Sequence, residues 1–203
     1  MIFLHYSIFE SIIKLEDLGY EPSDYGFWKG YLFLEEATAE SIIKDLLIPT
    51  FTPTLATVLK TFSARGIDTV FDKFDDFNRL FVFLHLEPTY KNKVWVIIDG
   101  GNNEKKIIED FKKMYVKDDG WDEKHFSQFQ NHEFENYYPE RFQEDVKKIL
   151  SDKKNRQENK TKLVKEVLKW SRENKKEAEI AWEKSAKEVI DKLKEIEKQL
   201  VNA

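Results

Sequence analysis

Val94-Trp-Val-Ile-Ile-Asp-Gly-Gly101 decides the fold. Five unbroken apolar residues, mostly β-branched, followed by an acid and two glycines, read as a strand covered on both faces that stops at a turn. A helix is expected from about Asn103, with Ile107, Ile108, Phe111 and Met114 inward. Upstream, Tyr31-Leu-Phe-Leu34 is a second short apolar run of the same kind, and another strand is expected around Ala56 to Phe62, before a turn at Arg65-Gly66. Between them Thr38 to Leu47 reads as a helix with Ile42, Ile43, Leu46 and Leu47 on one face and Pro49 closing it. Val70, Phe74, Phe77, Phe81 and Leu84 recur every three or four residues, the core stripe of a further helix. Strands alternating with helices make the expected fold α/β, with a parallel sheet flanked by helices.

The C-terminal part reads differently. From Lys160 onward the chain is expected to be helical, and Trp182, Ala186, Val189, Leu193, Ile196 and Leu200 keep a 4, 3, 4, 3, 4 spacing. Fewer than three heptads are marginal for a free coiled coil. Docking on its own domain is therefore the preferred reading of this seam, with homo-oligomerisation through the C-terminal helix as the other. The expected organisation is a helical lead-in over 1–25, the α/β domain over 26–150 and a charged helical extension over 151–203.

Composition narrows the function classes. The chain has 203 residues, 41% of them apolar, with 16 Phe, 8 Tyr and 5 Trp, which can support a packed core. There is no cysteine, which excludes disulfides, thiolate metal sites and cysteine nucleophiles. No uncharged apolar stretch of membrane-spanning length occurs, and the apolar start lacks a basic flank and a cleavage site. A cytoplasmic protein without a signal peptide or membrane partner is expected. The net charge of −5 is uneven: residues 151–203 carry 15 Lys/Arg against 11 Asp/Glu, leaving a body of −9. Such a body binds DNA weakly on its own. It suits a chain that gathers cations.

In parallel sheets ligands collect beyond the carboxyl ends of the strands. Glu35 and Glu36 follow the first strand there and Asp99 follows the later one, with Glu40 a helical turn on. Carboxylates from separate strand ends suit a hard divalent cation such as Mg²⁺. The four histidines, His5, His85, His125 and His132, show no ligand spacing and are expected in packing or on the surface.

The runs Leu18-Gly-Tyr-Glu-Pro-Ser-Asp24, Tyr31-Leu-Phe-Leu-Glu-Glu-Ala-Thr-Ala-Glu40, Val94-Trp-Val-Ile-Ile-Asp-Gly-Gly101 and Phe134-Glu-Asn-Tyr-Tyr-Pro-Glu-Arg-Phe142 together resemble the Toprim domain of the overcoming-lysogenization-defect (OLD) family of ATP-dependent endonucleases, over roughly residues 15 to 175. The resemblance implies a Toprim-like parallel sheet and Mg²⁺- or Mn²⁺-dependent cleavage of DNA in a phage-defence setting. It maps the family's glutamate to Glu35 or Glu36, with Glu36 preferred, and its first aspartate to Asp99. Glu36 and Asp99 are then the catalytic pair, and Glu35, Glu36, Glu40 and Asp99 the metal set. The family's second aspartate falls on Gly101, for which Asn102, Asn103 or Glu104 can compensate, and Gly101→Asp is expected to strengthen metal binding. A phosphate-neutralising lysine is implied among Lys153, Lys154, Lys160 and Lys162, although a surface position is the default for each, and Glu135 is a further candidate for the metal edge. No P-loop sequence is present, so the resemblance implies a detached C-terminal half that works with a separate ATPase subunit. The alternative is a catalytically degenerate Toprim domain that acts as a binding or regulatory module.

Overall fold

In β1 (Gly30–Leu34) and β3 (Val94–Ile98) every residue is buried, and the alternation of side chains divides the core into two halves. Tyr31, Phe33, Val94, Val96 and Ile98 face one side, while Leu32, Leu34, Trp95 and Ile97 face the other. A strand buried on both faces needs a layer of helix over each. The computed structural model describes residues 28–83 and 85–201; the expected lead-in over 1–25 lies outside them, as does Leu84.

After β1 come α1 (Ala37–Ile42), a π-helical turn (Ile43–Leu47) and α2 (Ile48–Phe51). Pro49 does not close this helix as expected. Its ring lacks an N–H and collides with the carbonyl four residues back in a regular helix, but here the preceding turn widens, with Ile48 N–H reaching back to the Ile43 carbonyl, and the helix continues to Phe51. A 3₁₀ segment, Pro53–Thr57, takes up Ala56, so β2 is shorter than expected, at Leu59–Ser63. Arg65 and Gly66 both adopt positive φ, 64° and 135°, to make the expected turn. α3 (Val70–Phe83) follows and presents Val70, Phe74, Phe77 and Phe81 to the sheet. α4 (Glu87–Tyr90) leads into β3.

α5 (Asn102–Phe111) again passes into a π-helical stretch, Lys112–Asp118. The extra residue per turn carries Tyr115 rather than Met114 under Phe111, so Met114 is exposed and Tyr115 is buried. A fourth strand, β4 (Phe126–Gln128), pairs parallel with β3 through Val96↔Phe126 and Ile98↔Gln128. The sheet order is β2-β1-β3-β4, all parallel, so the chain is α/β with helices on both faces.

After α6 (Gln143–Ser151), the C-terminal part forms α7 (Arg156–Glu173), α8 (Lys175–Ser185) and α9 (Lys187–Val201), broken at Asn174 and Ala186. The whole 182–200 seam is buried in one cluster with Leu32, Leu34, Trp95 and Ile97. A Cβ built on Gly30 would stand 2.8 Å from Leu200 Cδ1, so the last helix lies directly on the start of β1. The seam is thus covered within its own chain, and the extension shares its core with the sheet. No described helix is long and apolar enough to cross a membrane.

Candidate functional site

The chain goes from β1 out to β2, then returns across β1 to β3, so the strand order reverses at β1. Loops leaving β1 and β3 diverge at such a point and leave a crevice at the carboxyl edge. The pairing Leu34↔Ile97 puts Glu35 and Asp99 at that edge together. The Asp99 backbone N–H donates to Glu35 Oε2 at 3.3 Å. The crevice is a cavity of about 430 Å³ whose floor includes Glu35, Glu36, Asp99 and Glu104. Lys153, Lys154 and Arg156, from the α6–α7 connection and the start of α7, also line it.

Asp99 is held from below. Its Oδ2 accepts the Phe134 N–H at 3.1 Å, and Gln128 Nε2 donates to the carbonyls of Asp99 and Gly101 at 3.2 and 3.1 Å. Gly100 N–H donates to the Asn131 carbonyl at 2.7 Å. Here a glycine is needed for close approach: a Cβ on Gly100 would stand 2.6, 2.7 and 2.9 Å from the carbonyl oxygens of Phe129, Gln130 and Asn131. Gly100→Ala is expected to cost about 2 kcal/mol by overpacking, because backbone rather than a side-chain tip must move. Urea denaturation measures it, and an unchanged midpoint would contradict the close approach.

Behind the floor lies an ionic network centred on Lys160, which is 1% exposed. Its Nζ donates to both Glu36 oxygens at 2.7 and 3.0 Å and to Glu133 Oε2 at 2.9 Å, and it pairs with Glu135 Oε2 at 3.0 Å. Thr38 Oγ1 bridges Glu36 Oε2 and Glu135 Oε1 at 3.0 and 3.1 Å, and Arg156 pairs with Glu133. Lys160 is therefore a buried counter-charge and not the surface lysine its sequence position led us to expect. A signal was present: in α7 Lys160 shares a stripe with Leu163, Val164 and Val167, and a lysine at an apolar position of a stripe needs buried carboxylates. Lys162, by contrast, is exposed and pairs with Glu158.

The carboxylates outnumber the cations, and their acidities show it. Burial, then repulsion from Glu35, Glu36 and Glu135, pushes Asp99 up to about 8. Burial likewise raises Glu35 to about 7, with Glu104 and Glu36 adding repulsion. Burial also raises Glu135, against the opposing pull of Lys160. For Glu133 burial works upward, but hydrogen bonds from Arg156 and Lys160 prevail and hold it below the usual range.

Of the residues expected at the site, Glu35, Glu36 and Asp99 meet at the cavity. Glu40 does not: its Oε1 accepts from Thr61 Oγ1 of β2 at 3.0 Å, because the first turn of α1 points it along the sheet. Glu36 gives both oxygens to Lys160, which makes Glu35 the better placed of the adjacent pair to offer an oxygen. Glu135 lies under the floor, not at its surface. His125 is buried with Nδ1 2.9 Å from the Val94 carbonyl, a packing role as expected, whereas His132 lines the cavity.

Among the described residues no three His, Asp or Glu side chains are drawn together tightly enough to hold a metal ion as they stand. The donor chemistry nevertheless fits a hard cation, since several carboxylates line one cavity and burial, with mutual repulsion added, makes two of them resist ionisation. Comparison with known proteins adds no family: no family model, no curated protein and no solved structure matches the chain.

Proposed function

We propose that the chain is a divalent-metal-dependent nuclease domain of Toprim type, related to the OLD endonucleases and hydrolysing phosphodiester bonds of DNA. The observation that carries this reading is that one cavity is lined both by carboxylates at the ends of β1 and β3 and by Lys153, Lys154 and Arg156. A phosphodiester brings negative charge that carboxylates alone repel; a cation among them, with lysines alongside, makes the site attractive. Glu35 and Asp99 would hold the ion, with Glu36 fixed beside them by Lys160. When bound, Mg²⁺ or Mn²⁺ supplies Lewis-acid polarisation of the phosphate and a more acidic water. Lys153 and Lys154 bind the flanking backbone phosphates, and Arg156, tethered to Glu133, lines the cavity with them. DNA affinity stays weak for the chain alone because of its acidic body, and an ATPase-bearing partner would supply the remaining surface.

A second reading is a degenerate domain that binds without cleaving. It is favoured by the commitment of both Glu36 oxygens to Lys160 and by the lack of a converged metal set among the described residues. Mn²⁺ and Mg²⁺ titration beside a plasmid-nicking assay separates the two. The nuclease reading expects nicking that Asp99→Asn and Glu35→Gln each reduce on the order of 100-fold, the scale of losing one preorganised electrostatic contact. Lys153→Ala/Lys154→Ala is expected to leave metal affinity alone and to lower the salt slope of DNA binding by about 1 to 2. Metal binding without nicking would leave the binding module standing, and no metal binding would remove the nuclease.

A further inference from the structure

The loop after β4 touches the Asp99 turn along one edge and the C-terminal helix along the other. Its inner edge is made of carbonyls: those of Phe129, Gln130 and Asn131 crowd the bare Cα of Gly100, and the last accepts the Gly100 N–H. Its outer edge is made of N–H groups. Gln130 N–H donates to the Tyr137 hydroxyl oxygen and to both oxygens of Glu188, each at 3.1 Å, and Asn131 N–H donates to the same hydroxyl at 3.2 Å. The Tyr137 hydroxyl in turn donates to Glu188 Oε2, from the first turn of α9.

A trans peptide unit is planar, with its N–H and C=O on opposite edges. The N–H groups of Gln130 and Asn131 belong to the same two units as the carbonyls of Phe129 and Gln130. Anchoring the first pair on Tyr137 and Glu188 therefore aims the second pair at Gly100. Tyr137 reaches Asp99 by another route as well. It ends the 3₁₀ turn Phe134–Tyr137, whose first N–H donates to Asp99 Oδ2. The Tyr137 ring is buried, with its centroid 5.8 Å from those of Phe129 and Phe134. Phenylalanine would pack there equally well. What the hydroxyl adds is an acceptor for two loop N–H groups and a donor to α9.

We propose that Tyr137 and Glu188 are positioning residues for Asp99, fixing its carboxylate at the cavity through the 129–131 loop and the Phe134 N–H. The effect on catalysis rests on the nuclease reading above; the holding of the turn does not. Electrostatic catalysis depends on groups that are already in place and need no reorganisation when charge develops. The last helix of the chain thereby becomes part of the site without lining it.

The test compares Tyr137→Phe, Glu188→Ala and Glu188→Gln in the full chain. Amide hydrogen exchange followed by NMR reads Gly100 and Phe134, the two N–H groups that meet the loop and Asp99. Tyr137→Phe and Glu188→Ala are expected to speed both on the order of 10-fold, the scale of a lost hydrogen bond to a charged group, with a smaller change at the amides of β1. Glu188→Gln keeps an oxygen for Tyr137 and Gln130 and is expected to stay near the wild type. In the plasmid-nicking assay the first two variants are expected to lower kcat on the order of 10-fold, the cost of a small misplacement. KM for DNA should hold, because neither residue lines the cavity. Exchange that rises equally across the chain, or not at all at Gly100 and Phe134, overturns the proposal, as does an unchanged kcat beside faster exchange. If the wild type nicks no DNA, the nuclease reading fails by itself, and the exchange rates still decide whether Tyr137 and Glu188 hold Asp99.

Discussion

Lys160→Met should unfold far more easily than the wild type, by about 3–5 kcal/mol, the usual cost of removing one partner from a buried ionic network. Methionine nearly matches the volume, so packing is a minor part of the loss. The main part is electrostatic: Glu135, also buried, and Glu36 and Glu133 would be left facing one another without the ammonium that now touches all three. At 2–4 °C per kcal/mol for a chain of this size, the melting temperature should fall by roughly 10 °C. Adding Glu135→Gln to Lys160→Met should recover part of the loss, because it removes the most buried of the stranded charges. A single variant within 1 kcal/mol of wild type would mean that the carboxylates take up protons at little cost, and the network would lose its structural standing.

Asp99→Asn should do the opposite at alkaline pH. The folded chain raises Asp99 from its ordinary value to about 8, with Glu35 raised to about 7, so folding favours their protonated forms. A raised folded pKa contributes stability that is complete below the unfolded carboxyl range near pH 4 and is lost as pH climbs through the folded values. In metal-free buffer the wild type should therefore become less stable from about pH 6 to pH 9. Asparagine keeps an oxygen for the Phe134 N–H but never ionises, so at pH 9 Asp99→Asn should gain about 3 kcal/mol and flatten the profile. Added Mn²⁺ should restore the wild type at alkaline pH and leave the variant unchanged. Thermal melts across pH with and without the ion decide it, and a wild-type profile that rises with pH would contradict the raised acidities. A residue whose removal stabilises the fold while abolishing the proposed chemistry is the expected trade between stability and function.

The parts of this fold that were legible from sequence are those with a period. Val94–Ile98, the Phe74–Phe81 stripe and the 182–200 seam each repeat an apolar residue at strand or helix spacing, and each is found in its expected state. β4 was missed because three residues, Phe126–Gln128, carry no measurable alternation; it exists through pairing with β3. The wide turns before Pro49 and after Phe111 escape notice for a related reason, since a single π turn leaves composition unchanged while redirecting Met114 outward. At the site, Glu35, Glu36 and Asp99 were readable because they end strands. Glu104 and His132 meet only through the bare Cα of Gly101, and Lys160 reaches Glu36 only through the docking of α7, neither of which has a local pattern.

Lys160 follows Glu36 by 124 residues. During synthesis at about 5–20 residues per second, the acidic edge left by β1 and β3 leaves the ribosome many seconds before its counter-charge. Over that interval the emerging sheet carries unbalanced carboxylates, and both the closure of its core and the balance of its charge await the most C-terminal helices.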